Sequence, residues 1–67
     1  MKKFYVFKKN YDVRIIICGQ EVYDKDCTFF SDAVEWATKK LRASKICDIK
    51  AIITNIHTGE IMIELSR

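Results

Sequence analysis

The chain has no proline and only two glycines in 67 residues. This scarcity excludes collagen-like and linker-like chains, which depend on those residues. Long apolar runs are also missing: the longest, residues 4–7 and 15–18, have four residues each, whereas a membrane helix needs about 18–20. With 49% hydrophobic and 12% aromatic residues, the composition excludes disorder as well, because disordered chains are poor in aromatic and β-branched residues.

A secretory signal and a disulfide pattern are both missing. The apolar stretch Phe4–Phe7 ends at two lysines after four residues, whereas a signal peptide needs about 7–15. The cysteines, Cys18, Cys27 and Cys47, are odd in number and form no CxxC pair, unlike a secreted disulfide framework. We therefore expect a cytoplasmic protein with free thiols.

The length predicts one small domain spanning residues 1–67. Such a short chain buries only about 60% of the surface that its unfolded form exposes. Domains of this size often gain stability from a disulfide, a metal or a partner subunit. The net charge of +3 is mildly basic and does not by itself indicate nucleic-acid binding, which usually concentrates more charge.

Apolar residues in period-2 alternation or β-branched runs predict several strands. The predicted strands are residues 4–7, 11–18, 21–27, 48–56 and 60–65. The third is the weakest, because Asp24, Lys25 and Asp26 are equally compatible with a polar turn. A turn or a bulge is expected at Gly19-Gln20. A turn is expected at Thr58-Gly59, where Gly59 supplies a positive φ angle.

One helix is predicted over residues 31–45, with Ser31 as its N-cap. Acidic residues follow the cap and basic residues gather at the other end, which complements the helix dipole. The apolar stripe is narrow and comprises Val34, Ala37 and Leu41, flanked by Ala33 and Ser44. The elements predict an α+β fold, in which an antiparallel four- to five-stranded sheet carries the helix on one face, in the order β-β-(β)-α-β-β.

The strands carry more apolar residues than one helix can cover. If alternate residues of the strands face the helix, the opposite face carries isoleucines and aromatic residues. The predicted partner-binding residues are Ile16, Ile52, Ile56, Tyr5, Phe7 and Trp36, with Met62 as a further member of this face. Large exposed apolar patches usually mark interaction surfaces, so we expect a homodimer or a protein partner. The alternatives are a strongly twisted sheet that buries both its faces, and a dimer formed by sheet extension.

Trp36 is the only tryptophan. On a helical wheel it lies about 120° from the apolar stripe, beside Lys39 and Lys40. Tryptophan is enriched at interface hot spots, which favours a role as an anchor. The alternative is that its ring folds over the margin of the core, because tryptophan is highly buried on average.

Two basic segments, residues 2–9 and 39–45, offer an alternative function. Aromatic residues lie between the N-terminal lysine pairs, and basic grooves with aromatic platforms bind single-stranded nucleic acid. The residues in question are Lys8, Lys9, Lys39, Lys40, Arg42 and Lys45. A solvated helix end explains the second segment without any ligand.

No pattern indicates catalysis, a metal or a cofactor. His57 is the only histidine and adjoins a predicted turn, where it has no pocket for base catalysis. The cysteines lack the close spacing of a zinc knuckle, and Cys18 and Cys47 are expected to be buried beside apolar runs. We therefore predict a protein that is not an enzyme and that takes no small-molecule substrate, cofactor or membrane partner.

Overall fold

The computed structural model describes residues 8–67. The elements are β1 (Tyr11–Ile17), β2 (Gln20–Cys27), α1 (Phe30–Ala43), β3 (Ile49–Asn55) and β4 (Ile61–Ser66). All strand pairs are antiparallel, in the order β2-β1-β3-β4. The predicted α+β fold with one helix is thus confirmed, in the order β-β-α-β-β. The predicted strand at residues 4–7, with Tyr5 and Phe7, lies outside the described residues.

The core lies between α1 and the two central strands. Val13 of β1 is paired with Ile53 of β3, and Ile15 is paired with Ala51. All four are fully buried, because alternate residues of a strand point to the same face. From α1 the core receives the buried residues Ala33, Ala37 and Leu41. The predicted helix-facing stripe is therefore confirmed in Ala33, Ala37 and Leu41, whereas Val34 is only half-buried.

The β1–β2 hairpin turns at Cys18-Gly19, one residue before the predicted position. Both residues have positive φ angles, 52° and 81°, as a two-residue type I′ turn requires. The second hairpin confirms the turn predicted at Thr58-Gly59. Gly59 has a φ of 77°, and the side chain of Asn55 accepts hydrogen bonds from the backbone N–H groups of His57 and Thr58.

The strand predicted at residues 21–27 is confirmed as β2. Asp24, Lys25 and Asp26 lie within it, so the alternative of a polar turn is wrong. Asp24 is paired with Arg14 of β1. As an outer strand among the described residues, β2 exposes most of its side chains, so charged residues are tolerated there.

The helix begins and ends earlier than predicted. Its N-cap is Phe29, and Ser31 lies inside the first turn and is not the cap. The first helical hydrogen bond runs from the N–H of Ala33 to the carbonyl of Phe29. At the other end Ser44 is extended, and its hydroxyl accepts a hydrogen bond from the N–H of Ile46. This local hydrogen bond competes with continuation of the helix.

Both outer strands contain a β-bulge, which adds one residue relative to the central strand. In β2 the extra residue is Val22, since Ile15 pairs with Tyr23 while Ile16 pairs with Glu21. In β4 it is Met62, which lies between the residues that pair with Ile53 and Thr54. A bulge changes which side of the sheet the following residues face.

Candidate interaction surfaces

The sheet has one face against α1 and a second face, here called the outer face. Residues paired across strands share a face, so the register assigns twelve residues to it. They are Asp12, Arg14, Ile16, Glu21, Asp24, Asp26, Lys50, Ile52, Thr54, Ile61, Glu64 and Ser66. The only helix of residues 8–67 packs on the opposite face, so no helix of this part of the chain covers the outer face.

The predicted apolar residues of the outer face are separated by charges. Ile16 and Ile52 are half-buried and are diagonal neighbours, because Ile16 pairs with Lys50. At the end of the β3–β4 hairpin, Ile56 and Met62 are each 42% exposed. The outer face is therefore a mixed surface with apolar positions and not a continuous apolar patch.

Ile61 is an outer-face residue that the sequence did not indicate: it is 58% exposed and pairs with Thr54. Simple alternation groups Ile61 with Ile63 and Leu65, which pack against the core. The bulge at Met62 breaks that alternation. No local sequence signal marks this bulge, so the assignment needs the strand register.

Three carboxylates meet on the outer face where β1 and β2 pair. Asp12, Asp24 and Asp26 each contribute an oxygen to a group within 4.8 Å. The Nε of Arg14 lies 2.9 Å from Asp12 and 3.9 Å from Glu21. Oxygen ligands of this type suit hard cations, although exposed acidic groups are common without an ion.

The carboxylates perturb one another. A hydrogen bond to Asp12, burial and repulsion from neighbouring carboxylates together raise the pKa of Asp24 to about 6. Burial acts to raise the pKa of Asp12, but hydrogen bonds from Asp24 and Arg14 outweigh it, so that this pKa is lowered. Above a pH of about 6, Asp12 and Asp24 are therefore both negatively charged, and their proximity makes this state unfavourable.

On the helix side of the sheet, Trp36 belongs to a cluster of aromatic rings and lysines, here called the Trp36 cluster. Its ring is half-buried against the core margin and meets Tyr23 edge-on, with centroids 6.4 Å apart. The Nζ of Lys40 lies 4.4 Å from the Tyr23 centroid and 5.4 Å from that of Trp36. Lys25 lies 5.5 Å from the Trp36 centroid. Each distance is within cation–π range.

The predicted basic residues converge only in part. Lys9 and Lys39 line one groove of about 350 Å³, together with Lys25 and Trp36. Acidic residues line the same groove: Asp26, Asp32 and Glu35. By contrast, Arg42 lines another groove, beside Leu65 of β4. The basic surface is therefore interrupted by acids and divided between two sides of the helix.

The position of His57 agrees with the sequence prediction, whereas the positions of two cysteines do not. His57 lies in the β3–β4 turn, as expected, with its Nε2 2.9 Å from Oδ1 of Asn10. The expected burial of Cys18 and Cys47 is wrong, because both are exposed: Cys18 forms the first hairpin turn and Cys47 lies in a bend after α1. Cys27 is the buried cysteine, and burial raises the pKa of its thiol.

Comparison of the chain with protein-family models, with curated proteins and with solved structures found no match. No helix within residues 8–67 is long and apolar enough to cross a membrane.

Proposed function

We propose that the chain is a small, non-enzymatic interaction module of the cytoplasm, which binds a protein partner or a second copy of itself through the outer face. The observation that supports this most is the one-sided position of α1, which leaves Ile16 and Ile52 without a covering helix among residues 8–67. Ile61, which is 58% exposed, adds an apolar position on β4 to the same face. The three free cysteines agree with a reducing compartment.

Sheet extension is a weaker route to association than docking on the outer face. Both outer strands are bulged at Val22 and Met62, and a bulge twists an edge away from a potential neighbour. In β2 the edge also carries Glu21 and Lys25, and charges on an edge strand disfavour added strands. Docking on the outer face needs no regular edge.

Sedimentation at concentrations from about 1 μM to 1 mM tests self-association over the usual range of weak affinities. A pull-down from the producing cells tests for another partner. We expect the double variant Ile52→Ser/Ile61→Ser to lose either association, because it removes apolar area from the outer face. Its control is Ile46→Ser, which changes an exposed isoleucine outside the sheet. A chain that stays monomeric and retains no partner contradicts the proposal.

Trp36 does not lie on the outer face, so its predicted role as an anchor concerns a second surface. A Trp36→Ala variant in the same pull-down tests it separately. If partner capture depends on Trp36 and not on Ile52 and Ile61, the interaction surface is the helix side, and the proposal for the outer face is wrong.

Nucleic-acid binding is a second candidate function, supported by the Trp36 cluster. Aromatic rings with adjacent lysines favour base stacking and phosphate contacts, and Lys9 and Lys39 lie along the same groove. The test is fluorescence anisotropy with labelled single and double strands at about 50 mM salt, where phosphate contacts are strong. We expect loss of binding in Trp36→Ala but not in Lys45→Ala, because Lys45, although one of the predicted basic residues, does not line this groove. Absence of binding by the wild type at this salt excludes the function.

A further inference from the structure

The outer face is acidic, although the whole chain is basic. Its five carboxylates are Asp12, Glu21, Asp24, Asp26 and Glu64, and its two cations are Arg14 and Lys50. The chain as a whole has a net charge of +3. Within residues 8–67, the other basic residues lie away from this face, several of them around the Trp36 cluster.

Both cations of the outer face already have acidic partners. Arg14 contacts Asp12 and Glu21, and the Nζ of Lys50 lies 3.9 Å from Glu64. Within residues 8–67, no basic side chain forms a salt bridge with Asp24 or Asp26. These two carboxylates are exposed and accessible to a charge supplied by another molecule.

A second copy that presents the same face cannot supply that charge. In a two-fold symmetric pair the same patch is used by both subunits, so each outer face meets the same excess of carboxylates. Neutralising them requires free cations, and both cations that residues 8–67 place on this face are already paired. The excess of carboxylates therefore favours a partner of different composition.

We propose that the outer face docks a basic, amphipathic segment of another protein, with Arg or Lys side chains at Asp24 and Asp26 and an apolar side chain over Ile16 and Ile52. This inference rests on the proposed function and specifies its partner. The register places Asp24, Arg14 and Ile52 side by side on β2, β1 and β3. Asp24 and Ile52 are therefore two strand spacings apart, and each spacing is about 4.8 Å. The charged side chain of the partner and its apolar side chain must consequently be about 10 Å apart.

The spacing and the composition together define a probe. Residues seven apart on one face of a helix are separated by about 10.5 Å, so a helical peptide can present both groups. The probe is a synthetic amphipathic peptide of about 18 residues, long enough to form a helix, with leucines on one face and arginines beside them. A matched peptide carries glutamates in place of the arginines.

The experiment measures binding of both labelled peptides to the full chain by fluorescence anisotropy. We expect the arginine peptide to bind and the glutamate peptide not to bind. Asp24→Asn/Asp26→Asn should weaken binding at least about tenfold, because charge-assisted contacts are lost. The matched control is Asp32→Asn/Glu35→Gln, which removes two acids from the helix-side groove. Thermal unfolding of each variant verifies that it is folded.

Three results overturn the inference: no binding of the arginine peptide, equal binding of both peptides, or equal losses in the outer-face and control variants. The proposed function is judged separately. If the chain self-associates and Ile52→Ser/Ile61→Ser abolishes this, while the arginine peptide does not bind, the proposed function stands and the basic partner is wrong.

Discussion

At the scale of single residues, Cys18 has the most unusual backbone among the non-glycine positions described. Its φ of 52° lies in the left-handed region, which costs an L-residue roughly 1–2 kcal/mol. Asparagine tolerates this region better than cysteine. The hairpin therefore contains a local strain that a single substitution can relieve.

We expect Cys18→Asn to stabilise the protein by about 0.5–1 kcal/mol. For a domain of this size, 1 kcal/mol corresponds to roughly 4–8 °C in Tm, which thermal unfolding by circular dichroism measures. The control Cys47→Asn removes the other exposed thiol, at a position whose φ is not positive. An equal gain in Tm in both variants would show that removal of an exposed thiol, and not relief of strain in the turn, stabilises the protein.

A second prediction at this scale concerns Asp24. Its pKa is about 6 in the folded chain, above the ordinary aspartate value of 3.8. Between these values the folded state binds the proton more strongly, so this group favours folding at low pH. That contribution is lost as pH rises from about 4 to 6.

Asp24→Asn removes this dependence. Relative to the wild type we expect the variant to gain about 0.5 kcal/mol above pH 6, a small value because the site is exposed and screened by solvent. At about pH 4 the gain should disappear. Urea unfolding at both pH values measures it, with Asp48→Asn as an exposed control. A variant that is less stable than the wild type above pH 6 contradicts the assigned repulsion.

At the scale of the elements, the close approach of α1 to the sheet depends on small residues. Ala33 and Ala37 are fully buried against the central strands. We expect Ala37→Leu to cost about 1–3 kcal/mol, because extra methylene groups do not fit a packed core. Urea unfolding measures the loss, and Ala43→Leu, at an exposed position of the same helix, should change little. If Ala37→Leu lowers the stability no more than Ala43→Leu does, the interface between α1 and the sheet has room for the larger side chain.

Periodicity was sufficient to predict all four described strands, the helix and the face that the helix buries. For β2 it left a polar turn as an equal alternative, because three charged residues follow one another there. It was insufficient where a local feature changed the period, since the bulge at Met62 reassigned Ile61 to the outer face. The helix began one residue before Ser31, which the sequence marked as its cap, because the first helical bond uses the Phe29 carbonyl.

At the scale of the whole molecule, the core is small. Only Val13, Ile15 and Ile53 are large side chains that are fully buried in the described part of the chain. Ile53→Ala should cost about 2–5 kcal/mol, a large share of the 5–15 kcal/mol typical of domains. We expect a clear loss of Tm in calorimetry. Ile61→Ala, at an exposed position, is the control, and a similar loss there would contradict the assignment of the core.

The charge distribution is also a property of the whole molecule, and the sequence alone did not predict it. Asp12 is twelve and fourteen residues from Asp24 and Asp26, and the hairpin register brings the three together. A net charge of +3 gives no indication of an acidic face. Predicting it requires strand pairing, whereas the fold class required only the order and period of the elements.

The bulges at Val22 and Met62 have a consequence for behaviour at high concentration. Fibrils of the amyloid type need flat, regular strands that stack through unbroken backbone pairing. Both rims of the described sheet are interrupted, which leaves short regular stretches at residues 23–27 and 63–66. These two edges therefore resist lengthwise polymerisation, even though β4 contains Ile61 and Ile63.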